Sequence, residues 1–200
     1  MTWWLSAAAA MAIPTAAAAA PCELHLFALD LGGGPRPAGN LLARPLPAST
    51  DPLALINIMS PHDRMADVSD TEYREALDLP AGIPVIRHWD VALPAKVHKT
   101  PLPLVHIPRK CHAELIGYTS VGLMASRSAK NQNEVVISLV YREFAPGAEK
   151  PFEVRGGGYG AVDTEKKVGR GAALDSLHAA SIAIVRGFGD KVAKKRAKIR

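Results

Sequence analysis

The sequence predicts a single domain of the α/β or α+β class, in which a small mixed sheet carries a C-terminal helix packed on it. Two stretches, 113–124 and 135–144, have strand-forming composition, and the polar segment SRSAKNQNE between them is typical of a hairpin loop. Apolar residues recur at helical spacing over 172–188. The chain of 200 residues is 48% apolar and 22% charged, which is ordinary for a globular protein.

The N-terminal segment 1–20 predicts a signal peptide. It contains no charged side chain, and Ala17-Ala18-Ala19 fits the small-residue rule for a cleavage site. Pro14 interrupts the segment and alanine inserts weakly into lipid, so the segment is a poor membrane span. We therefore expect cleavage near Ala19, a periplasmic or secreted protein, and a globular domain over 21–190. An uncleaved anchor is the alternative.

The two cysteines, Cys22 and Cys111, predict a disulfide, because an even cysteine count in an exported protein favours pairing. A lipid anchor on Cys22 is disfavoured, since Ala19 and Pro21 stand where a lipoprotein signal needs a leucine-like residue and a small residue. Two unpaired buried thiols are the remaining alternative. The absence of a CxxC motif argues against a redox role, and there is no second cysteine pair for a zinc site.

The first half of the domain predicts one buried strand and several short elements. In the strand over 22–30, Leu24 and Leu26 share one face and His25 and Phe27 the other, which indicates cover on both sides. Helix starts are predicted at Asp51-Pro52, at Ser60-Pro61 and at the capping box Ser69-Asp70-Thr71-Glu72. A short strand is predicted over 84–89. The prolines between 91 and 108 predict loop or edge structure there.

In the second half, the strand over 135–144 has apolar residues on both faces and is predicted to be central. A third strand is predicted over 152–155, and the glycine-rich segment 156–160 after it is interpreted as a loop. Gly187 and Gly189 are expected to end the helix 172–188.

The last ten residues, KVAKKRAKIR, form a basic tail over 191–200. Its basic residues are Lys191, Lys194, Lys195, Arg196, Lys198 and Arg200, and no acid lies among them. The net charge of +5 comes from this tail, and the body is close to neutral. A nucleic-acid-binding face, which needs a basic patch on the body, is therefore excluded. We expect the tail to contact an anionic membrane or a cell-wall polymer; the alternative is a frayed or disordered, solubilising end.

The motifs of catalysis and cofactor binding are missing. The segment 156–160 does not fit G-x-G-x-x-G, and the interval from Gly34 to Gly39 lacks the Lys-Ser/Thr of a P-loop. The seven histidines form no HxH, HxxxH or HExxH spacing, so we expect them on the surface or at strand ends. No G-x-S-x-G or carboxylate pair stands out. The sequence predicts no catalytic residue, no metal site and no cofactor.

The order AELIGYTSVGLM, VVISLVYREF, FEVRGGGYG and AALDSLHAASIAIVRGF, over 113–188, is strand, strand, strand, helix. It resembles the last part of the periplasmic modules of the TolB N-terminal domain and the curli-export lipoprotein family. The chain also resembles exported Gram-negative proteins of uncharacterised function that begin with a Cys-Glu-Leu-His strand. The resemblance implies a periplasmic α/β module and transfers no functional residue.

Together, the export signal and the missing catalytic motifs predict a non-enzymatic periplasmic or envelope-associated protein. It would act through an envelope protein partner or an envelope polymer. The alternative is a secreted hydrolase or ligand-binding protein whose site lies in the Pro-rich middle, 60–112. A concave pocket with converging histidine or acidic groups near that segment would favour the alternative.

Overall fold

The structure is a computed structural model that describes residues 20–29, 61–89, 97–100, 102–105, 111–118, 126–127, 132–163 and 170–199. The elements in chain order are β1 (Glu23–Leu29), α1 (Pro61–Ala66), α2 (Asp70–Ala76), β2 (Val85–His88), a short 3-10 helix (Val97–Lys99), β3 (His112–Tyr118), β4 (Ser126–Arg127), β5 (Gln132–Phe144), β6 (Phe152–Asp163) and α3 (Arg170–Ala197). The predicted signal peptide and its cleavage site in 1–19, the helix start at Asp51-Pro52 and the surface contact of Arg200 lie outside the described residues.

The strands form one mixed sheet, which confirms the predicted fold class. Its order is β2-β1-β3-β5, with β6 on the far side of β5 and the two-residue β4 also paired to β5. Strand β1 runs parallel to both β2 and β3, whereas β3, β5 and β6 pair antiparallel. The predicted hairpin partners are therefore neighbours, and β5 is central, as predicted.

Local sequence explains the elements of the first half. Along β1 the side chains alternate between the two faces, and both faces are buried, as expected of a strand between two parallel neighbours. Helix α2 begins with the predicted capping box: Ser69 accepts a hydrogen bond from the Glu72 amide, and the Glu72 side chain accepts one from the Ser69 amide. The Tyr73 hydroxyl donates to the Met65 carbonyl at 2.7 Å, which ties α2 to α1.

All three helices contribute to the core on one face of the sheet, which we call the helix face. Its strand residues include Leu24, Leu26, Leu115 and Leu139, all 1% exposed or less. Helix α3 buries a continuous row against them, made of Ala173, Leu177, Ala180, Ile184, Phe188 and Val192. Burial of each large apolar side chain contributes about 1.5–3 kcal/mol, so this row holds α3 on the sheet.

The glycine-rich segment 156–160 is part of β6, so its interpretation as a loop is wrong. The structure gives two of these glycines a packing role. A Cβ on Gly158 would lie 2.6 Å from the Ile184 carbonyl oxygen, and a Cβ on Gly160 would lie 2.4 Å from that of Ala180. Glycine is needed here because the backbone of α3 approaches β6 too closely for any side chain.

Helix α3 passes through Gly187 and Gly189 and ends at Ala197, so the predicted helix end at these glycines is wrong. A Cβ on Gly189 would lie 1.8 Å from the Ala76 carbonyl oxygen, so this glycine permits a close crossing with α2. The helix continues because Val192, fully buried, extends its apolar face. The domain boundary expected at residue 190 falls inside this helix.

The two glycines of α3 provide a matched test of that crossing. Gly189→Ala is expected to lower the free energy of unfolding by about 1–3 kcal/mol, because the added methyl group forces α2 and α3 apart. Gly187→Ala is expected to raise it by about 0.5–1 kcal/mol, because its Cβ meets nothing within 4 Å and alanine favours helix. Urea unfolding of both variants measures the difference. Equal effects would contradict the close crossing.

Candidate functional site

The second face of the sheet, opposite the helix face, is covered by two described stretches, 97–100 and 102–105, which we call the strap. Val97 of the strap packs with Phe27, Ile116 and Val140, and all four side chains are at most 4% exposed. Leu104 and Val105 pack on the same cluster. Beside this apolar part, the strands carry a group of polar side chains that are equally buried.

Three imidazoles meet on this face, one from each of the parallel strands β2, β1 and β3. We call His25, His88 and His112 the imidazole cluster. His25 Nδ1 lies 2.8 Å from His88 Nε2, within hydrogen-bond distance. The rings of His25 and His88 are stacked with centroids 5.1 Å apart, and the rings of His25 and His112 meet edge to face at 5.6 Å. His25 is 5% exposed and His112 is fully buried.

Aromatic rings enclose the imidazole cluster. The ring of Phe27 stacks on His88 with centroids 4.6 Å apart, and the ring of Phe144 stacks on His112 at 4.8 Å. These rings supply an apolar wall and no hydrogen-bond acceptor. The imidazole cluster therefore lies in largely apolar surroundings.

The pKa of His25 is lowered below its ordinary value. Burial is the main cause, Glu23 opposes it, and the neighbouring His88 and His112 add to it. Burial also lowers the pKa of His88, against the opposing charge of Glu114. Since the fold prefers the neutral rings, their contribution to stability is complete above the ordinary histidine pKa of about 6.5. That contribution is lost as the pH falls from there through the lowered values.

The cluster leaves several ring nitrogens without hydrogen bonds. Among the described residues, His25 Nε2 and both ring nitrogens of His112 have no partner. The nearest carboxylate oxygens are Glu23 Oε2, 3.6 Å from His25 Nε2, and Glu114 Oε1, 3.5 Å from His112 Nε2. No group of three or more His, Cys, Asp or Glu side chains in the described part of the chain is arranged to hold a metal ion. The arrangement is suited to holding and sharing protons.

A buried ion pair next to the cluster attaches the strap to the sheet. Glu114 of β3 and Arg142 of β5 are both fully buried, and Arg142 Nη2 donates to Glu114 Oε2 at 2.6 Å. Arg142 also donates to the Thr100 carbonyl of the strap. The strap amides of Leu104 and Val105 donate to Glu114 Oε1 at 2.5 and 3.4 Å. Each charge thus has backbone partners in addition to its ionic partner, which offsets part of the cost of burying it.

A small cleft of about 90 Å³ lies beside the strap, lined in part by Leu102, Phe144 and Pro151. Leu102, at the cleft, is 68% exposed. The lining of the cleft contains none of the three histidines. Phe144 lies between this cleft and the imidazole cluster, since its ring lines the cleft and stacks on His112.

The structure places most of the predicted tail residues on α3, against the outer strand β6. The Lys191 ammonium donates to the Gly157 carbonyl and the Lys195 ammonium to that of Glu153. Lys194 and Lys198 are exposed. This part of the chain, through Ala197, is an ordered helix packed on the sheet.

Among the described basic residues of the tail, Arg196 is the one that is not fully exposed. Its guanidinium donates to Glu143 Oε1 at 2.9 Å, to the Tyr141 hydroxyl at 2.9 Å and to the Leu77 carbonyl at 2.7 Å. Burial opposes its charge, but Tyr141 and Glu143 outweigh burial and raise the pKa of Arg196. Arg196 is therefore a structural anchor of α3.

The predicted disulfide is present. Cys22 and Cys111 are bonded, and their Cα atoms are 5.3 Å apart. The Cys22 amide donates to the Cys111 carbonyl at 2.8 Å, so the bond continues the pairing of β1 with β3. Disulfides persist in oxidising compartments. Of the helices that are described, none combines the length and apolarity needed to cross a membrane.

His88 and His112 lie at strand ends, as expected, whereas His25 lies inside β1. Sequence reasoning missed that the three rings meet. The signal for part of it was present. His25 and His112 occupy the positions of their strands that alternate with Leu24 and Ala113, so both belong to the second face once β1 and β3 are neighbours. Their proximity follows from the register, which the sequence does not specify. No protein-family model and no curated protein matches this chain.

Proposed function

We propose that this chain is an exported, envelope-associated protein that acts by binding an anionic membrane surface and has no enzymatic activity. The observation that carries the proposal is the basic end of α3, which presents Lys191, Lys194 and Lys195 at the surface, with the exposed Lys198 directly after the helix. No acid lies among these residues, and the nearest one in sequence is Asp190. A fixed array of lysines is suited to anionic lipid headgroups, near which each basic residue contributes about 1 kcal/mol.

One further observation and two expectations from the sequence support the placement in the envelope. The disulfide Cys22–Cys111 requires an oxidising compartment to form and persist, and the periplasm is one. The predicted signal peptide over 1–20 and the resemblance of 113–188 to periplasmic modules point to the same compartment. In this proposal, the sheet and its disulfide provide a stable body, and α3 provides the contact.

The structure determines which variants test the proposal. Deleting residues 191–200 would remove Val192 and Arg196, which are part of the core and its anchoring network. Lys194→Gln with Lys198→Gln instead changes two exposed side chains that form no hydrogen bond to another described residue. We expect this double variant to bind vesicles of anionic phospholipid about 30-fold more weakly at low salt, because two contacts of about 1 kcal/mol are lost.

The matched control is Lys99→Gln with Lys150→Gln, which removes the same charge from exposed positions outside α3. It is expected to bind as the wild type does, and binding by the wild type is expected to weaken at high salt. Sedimentation with vesicles gives the partition coefficients. If both double variants lost affinity equally, net charge alone would explain binding and the proposed surface would be wrong.

A second candidate function is ligand binding or hydrolysis at the second face. The convergence of His88, His112 and Glu114 near the Pro-rich middle favours it, since these groups are suited to proton transfer. The full burial of His112 argues against it, because a substrate must reach the ring, and no histidine of the cluster lines the described cleft. Ester hydrolysis by the purified protein that disappears in His112→Phe would favour this function over the first.

A further inference from the structure

Glu114 Oε1 is the atom at which the strap and the imidazole cluster meet. It accepts the two strap amides, from Leu104 at 2.5 Å and from Val105 at 3.4 Å. His112 Nε2 lies 3.5 Å from the same oxygen without a hydrogen bond to it. The other carboxylate oxygen is engaged by Arg142. Any new donor on the cluster side must therefore compete with the strap for Oε1.

The state of His112 makes such competition possible. Its side chain is fully buried, and neither ring nitrogen has a partner among the described residues. Buried polar groups are nearly always hydrogen-bonded, and an unsatisfied one costs about 1–3 kcal/mol. His112 is edge to face with His25, which in turn shares a hydrogen bond with the half-buried His88. The partly exposed ring of His88 connects the buried rings to solvent.

We propose that Glu114 Oε1 is a proton-controlled attachment point for the strap. While the cluster is neutral, the oxygen holds the amides of Leu104 and Val105. A proton taken from water by the cluster gives His112 Nε2 a charged N–H, which draws Oε1 away from the strap amides and loosens the strap. The proton comes from a hydronium ion, so one O–H bond breaks as the N–H bond forms, and no other covalent bond changes. Loosening exposes the apolar residues beneath the strap, Phe27, Ile116 and Val140.

The charges around the cluster determine the direction of the response. The facing groups are Glu23 and His25 on β1, His88 on β2, His112 and Glu114 on β3, and Arg142 on β5. Of the strap side chains that are described, only Lys99 is charged, and it is exposed. A protonated ring adds a second cation beside Glu114, which already neutralises Arg142. Acid therefore acts against the closed arrangement.

Hydrogen exchange of the Leu104 and Val105 amides at pH 7.5 and pH 5.5 tests the proposal on the full chain. One proton taken up on opening increases the open fraction up to tenfold per pH unit below the ordinary histidine pKa of about 6.5. We therefore expect the protection factors of these two amides to fall about tenfold at pH 5.5. The amides of Leu26 and Leu115, in the interior strands, are expected to keep theirs. A uniform loss of protection, or no loss, would overturn the proposal.

Two variants separate the proposed device from general acid sensitivity. His112→Phe keeps a ring against Phe144 but has no side-chain N–H, so its strap amides are expected to remain protected at pH 5.5. If the phenylalanine variant does not fold, His112→Leu, which also lacks a side-chain N–H, replaces it. His178→Phe is the control, because His178 is exposed, lies on the helix face and is hydrogen-bonded to Asp67. In the control, the strap amides are expected to lose protection at pH 5.5 as they do in the wild type. A His112 variant that showed the same loss would overturn the proposal.

Discussion

Replacing Glu114 with alanine is expected to lower the free energy of unfolding by about 3–5 kcal/mol. The variant leaves the Arg142 guanidinium fully buried without its carboxylate. It also removes the acceptor of the Leu104 and Val105 amides, so the strap loses its attachment to β3. Both effects act on the same face, and the cost of an unpaired buried charge dominates.

Urea unfolding of Glu114→Ala measures this loss. Glu153→Ala is the matched control, because Glu153 also lies on a strand and pairs with an arginine, Arg155, but that pair is partly exposed. The control is expected to lose no more than about 1 kcal/mol. Glu114→Leu combined with Arg142→Met is expected to cost less than the two single changes together, because no charge remains buried. A loss below 1 kcal/mol in Glu114→Ala would contradict the role given to the ion pair.

Replacing both cysteines with serine is expected to cost about 4 kcal/mol, an upper figure from the chain-entropy model. The bond closes a sequence separation of 89, so its loss frees a large part of the unfolded chain. The native contacts change little, since β1 and β3 keep their backbone pairing. The effect therefore arises mainly in the unfolded state.

The measurement compares the urea midpoints of Cys22→Ser/Cys111→Ser and wild type without reductant. Wild type with reductant is the internal control and is expected to match the double variant. The m-value of the reduced forms is expected to rise, because the unfolded chain without its cross-link exposes more surface. Equal midpoints for oxidised and reduced wild type would show that the bond contributes nothing.

Much of this fold could be predicted because its elements have local signals. Alternation of Leu24 and Leu26 with His25 and Phe27 predicts a strand buried on both faces. Ser69 and Glu72 specify the start of α2 within four residues, and the capping box is present in the structure. The composition of 135–144 predicts a central strand, since neither face is polar enough for solvent. Each of these features depends on residues that are close in sequence, so the pattern of residue types is enough to predict it.

The features that could not be predicted depend on tertiary contacts. Gly158 and Gly189 resemble loop and helix-end signals, yet each permits a close backbone approach that only the packed structure reveals. Helix α3 extends past Gly189 because Val192 and Arg196 contact residues of other elements. For the candidate site, the sequence displays three separate histidines, and only the register of β1 with β2 and β3 brings them together.

The position of β1 in the sheet has a consequence for how the chain folds. Among the described strands β1 comes first in sequence, but its partners are distant: Leu24 pairs with Val85 and Glu23 with His112. By contrast, β5, β6 and α3 follow one another closely. Closing a long loop costs more conformational entropy than closing a short hairpin loop. We therefore expect the C-terminal half, with β3, to assemble first and β1 to enter afterwards between β2 and β3. Because the Cys22–Cys111 bond lies at the end of the β1–β3 pairing, we expect it to form late in folding.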